Sequence, residues 1–249
     1  MIIGAQFYTI REFCRNTEAF SLSLKKVADM GYTAVQISGT CAYDPHWLKQ
    51  ELDKNGLTCV LTHIPAAKLA DPAAVCRDHH IFDCKNIGLG HYSFEKDPLK
   101  DLYSDFIKAY KPITAQLRDN GCYFMYHNHD AEFRKLDGKP VLDQIAEDFS
   151  AEELGITLDT FWVQAGGADP AQYLEKLSGR VPCIHLKDYG YGRTMEVIGE
   201  GNINFDRVLE KAESAGTQYL LVEQDDCNGE NPFDCLRRSY QYLHSLGFK

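Results

Sequence analysis

Residues 155–188, GITLDTFWVQAGGADPAQYLEKLSGRVPCIHLKD, form one complete strand–helix–strand pattern. An apolar run ends at Asp159, an amphipathic segment begins after Asp169-Pro170, and a second apolar run ends near His185. Asp followed by Pro is a typical helix start, because Asp caps free backbone N–H groups and Pro lacks one. This alternation predicts neighbouring parallel strands that are joined and covered by a helix.

The same pattern recurs along the chain, and eight cycles can be counted in 249 residues. Eight cycles favour closure into a single (β/α)₈ TIM barrel over an open doubly wound sheet, and we expect residues 1–249 to form one domain. No Gly-rich phosphate loop follows the first strand, which argues against nucleotide binding. The predicted strands are Ile2 to Tyr8, Ala34 to Ser38, Thr58 to His63, Asn86 to Gly90, Tyr123 to His127, Gly155 to Asp159, Cys183 to Leu186 and Tyr219 to Glu223.

Composition and charge narrow the classes of function. The chain carries 36 Asp and Glu against 26 Lys and Arg, a formal net charge of −10, which disfavours nucleic acid and anionic membranes as partners. The nine cysteines are odd in number, and the first residues show no secretory signal, so we expect free thiols and a cytoplasmic protein. The sequence leaves open whether the chain forms a homo-oligomer.

Three successive predicted strands end in residues that bind metals well. In a (β/α)₈ barrel the C-terminal ends of the strands meet at one cavity, and here they bring Asp159, His185 and Glu223. Polar groups so close to a barrel core need mutual hydrogen bonds or a shared cation. The set predicts one divalent metal ion, with Mn²⁺ as the first candidate and Mg²⁺, Co²⁺, Fe²⁺ or Zn²⁺ as alternatives.

A fourth ligand is expected from the segment after the fifth strand, and spacing alone does not choose among its candidates. They are His127, His129, Asp130 and Glu132. Single residues also have structural interpretations, since an Asp after a strand often caps a helix or forms an Asx turn. This applies to Asp188, Asp225 and Asp226.

At these residues the sequence resembles the sugar phosphate isomerase/epimerase superfamily of xylose isomerase-like barrels. The resemblance extends over almost the whole chain, and it is strongest to a bacterial branch that carries YHNHDxEF after strand five. The shared motifs are YHNHDAEF (126–133), LDTFW (158–162), GGADP (166–170), HLKD (185–188), GEG (199–201) and VEQD (222–225).

The resemblance implies a metal-ligand set of Glu132, Asp159, His185 and Glu223. In the ketose epimerase relatives the turn before the first of these is one residue shorter, so His129 is an alternative ligand. The resemblance further implies a small-molecule sugar or cyclitol as the substrate.

The expected activity is a metal-dependent isomerase or epimerase that moves a proton through an enediolate of a sugar or keto-sugar, phosphorylated or not. Glu132 and Glu223 are the expected bases, and Lys187 is the expected donor to an oxyanion. His63 is expected to protonate a leaving group in preference to His127, because only one of His127 and Asn128 can face the barrel axis. The expected substrate-binding residues are Gln36, His129, Trp162 and Glu200.

Three other functions compete with this prediction. A metal-dependent dehydratase or hydratase, which is a lyase, would act on a keto-sugar, 3-keto-glycoside or inosose, and the additional histidines favour it. An endonuclease IV-like DNA repair enzyme conflicts with the acidic charge. A non-catalytic sugar-binding barrel would keep the shape without the metal.

Overall fold

The computed structural model describes residues 1–249, and its central feature is a closed barrel of eight parallel strands. The strands are β1 (Ile2–Gln6), β2 (Ala34–Ile37), β3 (Thr58–His63), β4 (Asn86–Leu89), β5 (Tyr123–His127), β6 (Leu154–Asp159), β7 (Cys183–Leu186) and β8 (Tyr219–Val222). Each strand pairs with the next along the chain, and β8 pairs with β1 to close the barrel. The predicted (β/α)₈ fold is confirmed.

Nine helices accompany the strands. They are α1 (Thr17–Asp29), α2 (Pro45–Asn55), α3 (Pro72–Ile81), α4 (Leu99–Asp119), α5 (Val141–Asp148), α6 (Thr160–Ala165), α7 (Pro170–Lys176), α8 (Phe205–Ser214) and α9 (Pro232–Ser245). The sequence patterns did not predict α6, which follows β6 directly. None of the nine combines the length and the apolar character that a membrane-spanning helix needs.

The capping signals in the sequence act as expected. Asp44, Asp71, Asp169 and Asn231 each accept hydrogen bonds from backbone N–H groups at a helix start, and each stands before a proline. These bonds satisfy donors that have no partner within the helix. At the end of α2, Gly56 adopts the left-handed conformation that a helix C-terminus favours.

Apolar side chains fill the barrel and the space between the barrel and its helices. The inner cluster includes Met125, and the larger outer cluster includes Tyr126 and Phe106 of α4, whose rings lie 5.3 Å apart. Successive side chains along a strand point to opposite faces, so Met125 faces inward and Tyr126 outward. The next residue, His127, therefore returns to the inside of the barrel.

A buried carboxylate organises the loop between β7 and α8. The side chain of Asp188 accepts hydrogen bonds from four backbone N–H groups at 2.8–3.1 Å, those of Tyr189, Gly199, Gly201 and Ile203. Lys187 does not pair with Asp188, although the two are adjacent in sequence. The structural interpretation of Asp188 fits this placement.

We expect Asp188→Asn to lower the free energy of unfolding by about 3 kcal/mol, because the amide offers one acceptor oxygen and turns N–H groups toward buried donors. Urea denaturation monitored by circular dichroism measures this change. Asp226→Asn is the matched control, since Asp226 is exposed and accepts only the N–H of Asn228. Equal losses for the two variants would contradict this account of the loop.

Candidate metal centre

Four buried side chains converge at the C-terminal ends of neighbouring strands. They are His127 at the end of β5, Asp159 at the end of β6, His185 in β7 and Glu223 just after β8. Each offers one nitrogen or oxygen atom, and these four atoms lie within 4.8 Å of one another. We call this set the four-residue cluster, and it can hold a metal ion.

Both histidines of the cluster are oriented by hydrogen bonds on the far side of the ring. His127 Nδ1 lies 3.0 Å from the carbonyl oxygen of Gly90, and His185 Nε2 lies 2.7 Å from Oε1 of Gln36. Because a carbonyl oxygen only accepts, each of these ring nitrogens carries the proton. Metal-binding histidines usually donate their second N–H in this way.

The remaining ring nitrogens then direct lone pairs at carboxylates. His127 Nε2 is 3.1 Å from Asp159 Oδ2, and His185 Nδ1 is 2.8 Å from Glu223 Oε2. His185 Nδ1 has no hydrogen-bond partner although it is buried, and the contact that Glu223 Oε2 makes besides the imidazole is with the Lys187 ammonium at 3.0 Å. A cation between lone pair and carboxylate removes this conflict, so the residues fit a metal ion.

The histidines respond differently to this environment. Burial lowers the pKa of His127, and it also lowers the pKa of His63 and brings that of His129 to about 2. Burial alone would lower the pKa of His185 too, but the charges of Glu223 and Asp159 outweigh it and raise the pKa. A proton or a metal ion at His185 Nδ1 would satisfy the neighbouring carboxylates.

The Lys187 ammonium is a positive charge next to the carboxylates of the four-residue cluster. Its buried ammonium lies 3.1 Å from Asp159 Oδ2, 3.0 Å from Glu223 Oε2 and 3.0 Å from Asp225. Burial lowers the pKa of Lys187, but these three carboxylates outweigh it and raise the pKa. Sequence reasoning anticipated a functional role for Lys187 but missed Asp225 as its partner.

Polar neighbours fix the two carboxylates. Gln6 donates to Glu223 Oε1 at 2.5 Å, and the backbone N–H of Asp159 donates to Oδ1 of Asn128 at 3.0 Å. Asp159 Oδ1 also accepts the backbone N–H of Trp162, which makes Asp159 the N-cap of α6. Asp159 therefore presents Oδ2 to the cluster while Oδ1 holds the following helix.

Glu132 lies outside the four-residue cluster. Its carboxylate accepts hydrogen bonds from the Tyr126 hydroxyl at 2.5 Å and from the backbone N–H of His129 at 2.8 Å. Tyr126 points outward from the barrel, so Glu132 turns away from the cavity. Burial raises the pKa of Glu132 to about 7.

The four-residue cluster contains His127 and does not contain Glu132, whose role as a ligand stays a prediction. The sequence favours His63 over His127 as a catalytic residue, because Asn128 competes with His127 for the inward direction. Asn128 instead bonds the backbone of Asp159 at the strand end. The signal that was missed is the alternation along β5, in which Met125 and His127 share the inner face.

A cavity of about 740 Å³ opens above the cluster, and His63, His129, Lys187 and Glu223 line it. His63 Nε2 and His129 Nδ1 are buried atoms without a hydrogen-bond partner. The His63 ring packs against β4 at Gly88, where an added Cβ would come within 2.6 Å of it. His63 therefore faces the cavity, and its catalytic role stays a prediction.

Three residues predicted to bind substrate do not line this cavity. Gln36 is buried and holds His185, as described above. The Trp162 ring lies 5.1 Å from that of His129, on the side of the site that carries Arg193. Glu200 is exposed and pairs with Arg238 at 2.8 Å. His129 does line the cavity, and its role there stays a prediction.

Comparison with known proteins places this fold in a family. Residues 24–246 match the xylose isomerase-like TIM barrel family, and the chain belongs to it. A Methanocaldococcus jannaschii protein of unknown function, MJ1311, is 39% identical over 82 residues, which are 31% of this chain and 28% of that protein. The inosose dehydratase of Geobacillus thermodenitrificans is 21% identical over 268 residues, which cover 90% of this chain and 88% of that enzyme.

The fold also resembles solved structures over its whole length. A sugar phosphate isomerase/epimerase from Parabacteroides distasonis superposes with a TM-score of 0.81 and 19% identity, covering 98% of this chain and 93% of that one. At this identity the likeness shows the fold.

We expect His127→Ala to weaken Mn²⁺ binding by about 100-fold or more, because even the outer partners of metal ligands contribute roughly 10- to 100-fold. Glu132→Gln is expected to leave Mn²⁺ binding unchanged, since its carboxylate faces Tyr126. Isothermal titration calorimetry on both variants measures this contrast. If Glu132→Gln weakened Mn²⁺ binding and His127→Ala did not, Glu132 would be the ligand and His127 would not.

Lys187 and a metal ion would share the carboxylate oxygens of Asp159 and Glu223. We therefore expect Lys187→Met to tighten Mn²⁺ binding about tenfold or more, because repulsion between two cations a few ångströms apart amounts to several kcal/mol at low dielectric. Asp225→Asn should weaken binding, since the ammonium then depends more on the shared oxygens. Calorimetric titration of both variants distinguishes these opposite signs, and a loss of affinity in Lys187→Met would contradict the argument.

Proposed function

We propose that the chain is an enzyme that uses one divalent metal ion, bound at the four-residue cluster, to act on a keto-sugar or inosose. Charge balance supports a divalent ion. Three carboxylates, those of Asp159, Glu223 and Asp225, surround the single ammonium of Lys187, so the carboxylates outnumber the lysine that faces them. Burial raises the pKa of Asp225 to about 6, and the neighbouring charge of Glu223 contributes to the rise. Buried charge without a counter-ion is costly, and a divalent cation matches the excess.

The metal would supply Lewis acidity to a substrate carbonyl, which makes the neighbouring C–H more acidic. His63 Nε2, which has no partner within the protein, accepts that proton. The Lys187 ammonium, which faces the cavity, donates a hydrogen bond to the oxyanion that develops. His129 Nδ1 is placed to bind a substrate hydroxyl.

The observation that carries the choice of reaction is the placement of Glu132. An epimerase with two carboxylate bases needs one on each face of the substrate, whereas Glu132 is held by Tyr126 and faces away from the cavity. Histidines line the cavity in its place. We therefore propose elimination. His63 removes the proton from the carbon next to the carbonyl (the α-carbon) and returns it to the oxygen that leaves the adjacent β-carbon. A C=C bond forms, the C–O bond breaks, and water or an alcohol departs.

Isomerisation or epimerisation is the second candidate. It needs the same proton removal, with return of the proton to carbon in place of departure of a hydroxyl. Fold relatives named sugar phosphate isomerase/epimerase support it, and the inosose dehydratase that matches 90% of this chain supports elimination. Both reactions begin at the same C–H bond.

Incubation of the Mn²⁺-loaded protein with inososes and keto-sugars in deuterated water separates these reactions. We expect deuterium next to the carbonyl together with loss of a hydroxyl group, both measured by NMR and mass spectrometry. His63→Gln should slow exchange about 10²- to 10⁴-fold, the usual contribution of a general base, while retaining Mn²⁺.

Exchange with an isomerised or epimerised product would establish the second candidate. Absence of exchange with every member of the panel would refute both reactions. His127→Ala serves as the metal-deficient control in the same assay.

A further inference from the structure

A partly exposed aromatic ring lines the cavity and does not belong to the four-residue cluster. Tyr8 belongs to the turn that follows β1, and 38% of its surface is exposed. It lines the same cavity as His63 and Glu223. An exposed aromatic ring within a polar binding cavity is a surface on which an apolar face of a ligand can pack.

The Tyr8 ring is held in place from several sides. Arg11 donates to the Tyr8 carbonyl oxygen at 2.7 Å, and the Arg11 guanidinium carbon lies 4.2 Å from the ring centroid. On the β2 side, a Cβ added to Gly39 would come within 2.8 Å of the ring. A ring fixed in this way loses little conformational freedom when a ligand packs on it.

Hydrogen bonds connect Tyr8 to the cluster. Gln6 accepts the Tyr8 N–H on Oε1 at 2.6 Å, and its amide nitrogen donates to Glu223 at 2.5 Å. Arg11 also donates to the carbonyl oxygen of Asp225 at 3.0 Å, next to the partner of Lys187. These bonds fix the backbone of Tyr8 relative to the four-residue cluster.

The cavity is larger than one sugar ring requires. A hexose has 12 non-hydrogen atoms. If each atom is given the roughly 30 Å³ that a water molecule occupies in the liquid, a hexose fills about 360 Å³. That is half of the 740 Å³ available. The loop after β3 adds Ile64, Pro65 and Ala66 to the wall, so part of the remaining space is apolar.

We propose that Tyr8 forms a second subsite, and that the substrate is a glycoside whose sugar reacts at the cluster while its second ring packs on Tyr8. This inference rests on the proposed function for the identity of the reacting sugar. The second ring is another sugar or an aromatic group, because both present an apolar face. A free monosaccharide would leave Tyr8 without a contact.

The test measures binding of D-glucose, cellobiose and 4-nitrophenyl β-D-glucoside to the Mn²⁺-loaded protein by saturation-transfer NMR and competition titration. We expect both glucosides to bind more tightly than glucose, with strong saturation transfer to the second ring. Tyr8→Ala should weaken glucoside binding about 3- to 10-fold, the contribution of one aromatic contact, and leave glucose unchanged. Tyr8→Phe should retain tight binding.

Tyr191→Ala is the matched control, since Tyr191 is 95% exposed and does not line the cavity. Equal affinity for glucose and both glucosides, no binding of any of them, or equal effects of Tyr8→Ala and Tyr191→Ala would overturn the subsite. Because only binding is measured, the absence of deuterium exchange in the preceding assay would refute the proposed reaction without altering this result.

Discussion

The carboxylates of Asp159 and Glu223 lie buried beside the imidazole nitrogens of His127 and His185, and the other residues of the site are positioned by these contacts. Gly90 and Gln36 accept the far N–H groups of the two histidines, which turns the lone pairs toward the carboxylates. Lys187 supplies one positive charge, and Asp225 adds a further negative one. This donor set suits a metal ion, and the metal-dependent chemistry proposed here rests on that fit.

Two histidines beside the cluster have ring nitrogens that are left unpaired within the protein. His63 Nε2 and His129 Nδ1 have no hydrogen-bond partner within the protein, although both atoms are buried. Unsatisfied polar atoms destabilise a folded protein, so these nitrogens are available to a ligand or to water in the cavity. Gln6 extends this organisation outward, because it joins Glu223 to the backbone of Tyr8.

The predicted ligand set and the four-residue cluster differ in one residue, and the difference depends on which side chains of β5 face the inside of the barrel. Tyr126 and His127 are adjacent in β5, yet Tyr126 packs against α4 and His127 reaches the cluster. Glu132 lies on the same side of the strand as Tyr126, because its carboxylate accepts a hydrogen bond from the Tyr126 hydroxyl. The motif that suggested Glu132 as a ligand contains both residues, and letter order alone does not say which of them faces the cavity.

The sequence by itself determined the barrel and three of the four cluster residues. Apolar periodicity and capping pairs such as Asp169-Pro170 are local properties, and Asp159, His185 and Glu223 end strands whose order follows from the chain. Tertiary structure alone decided the fourth residue, the pairing of Lys187 with Asp225, and the distance of Glu200 from the cavity. These depend on side-chain direction and on contacts between residues far apart in the chain, which short-range sequence patterns do not encode.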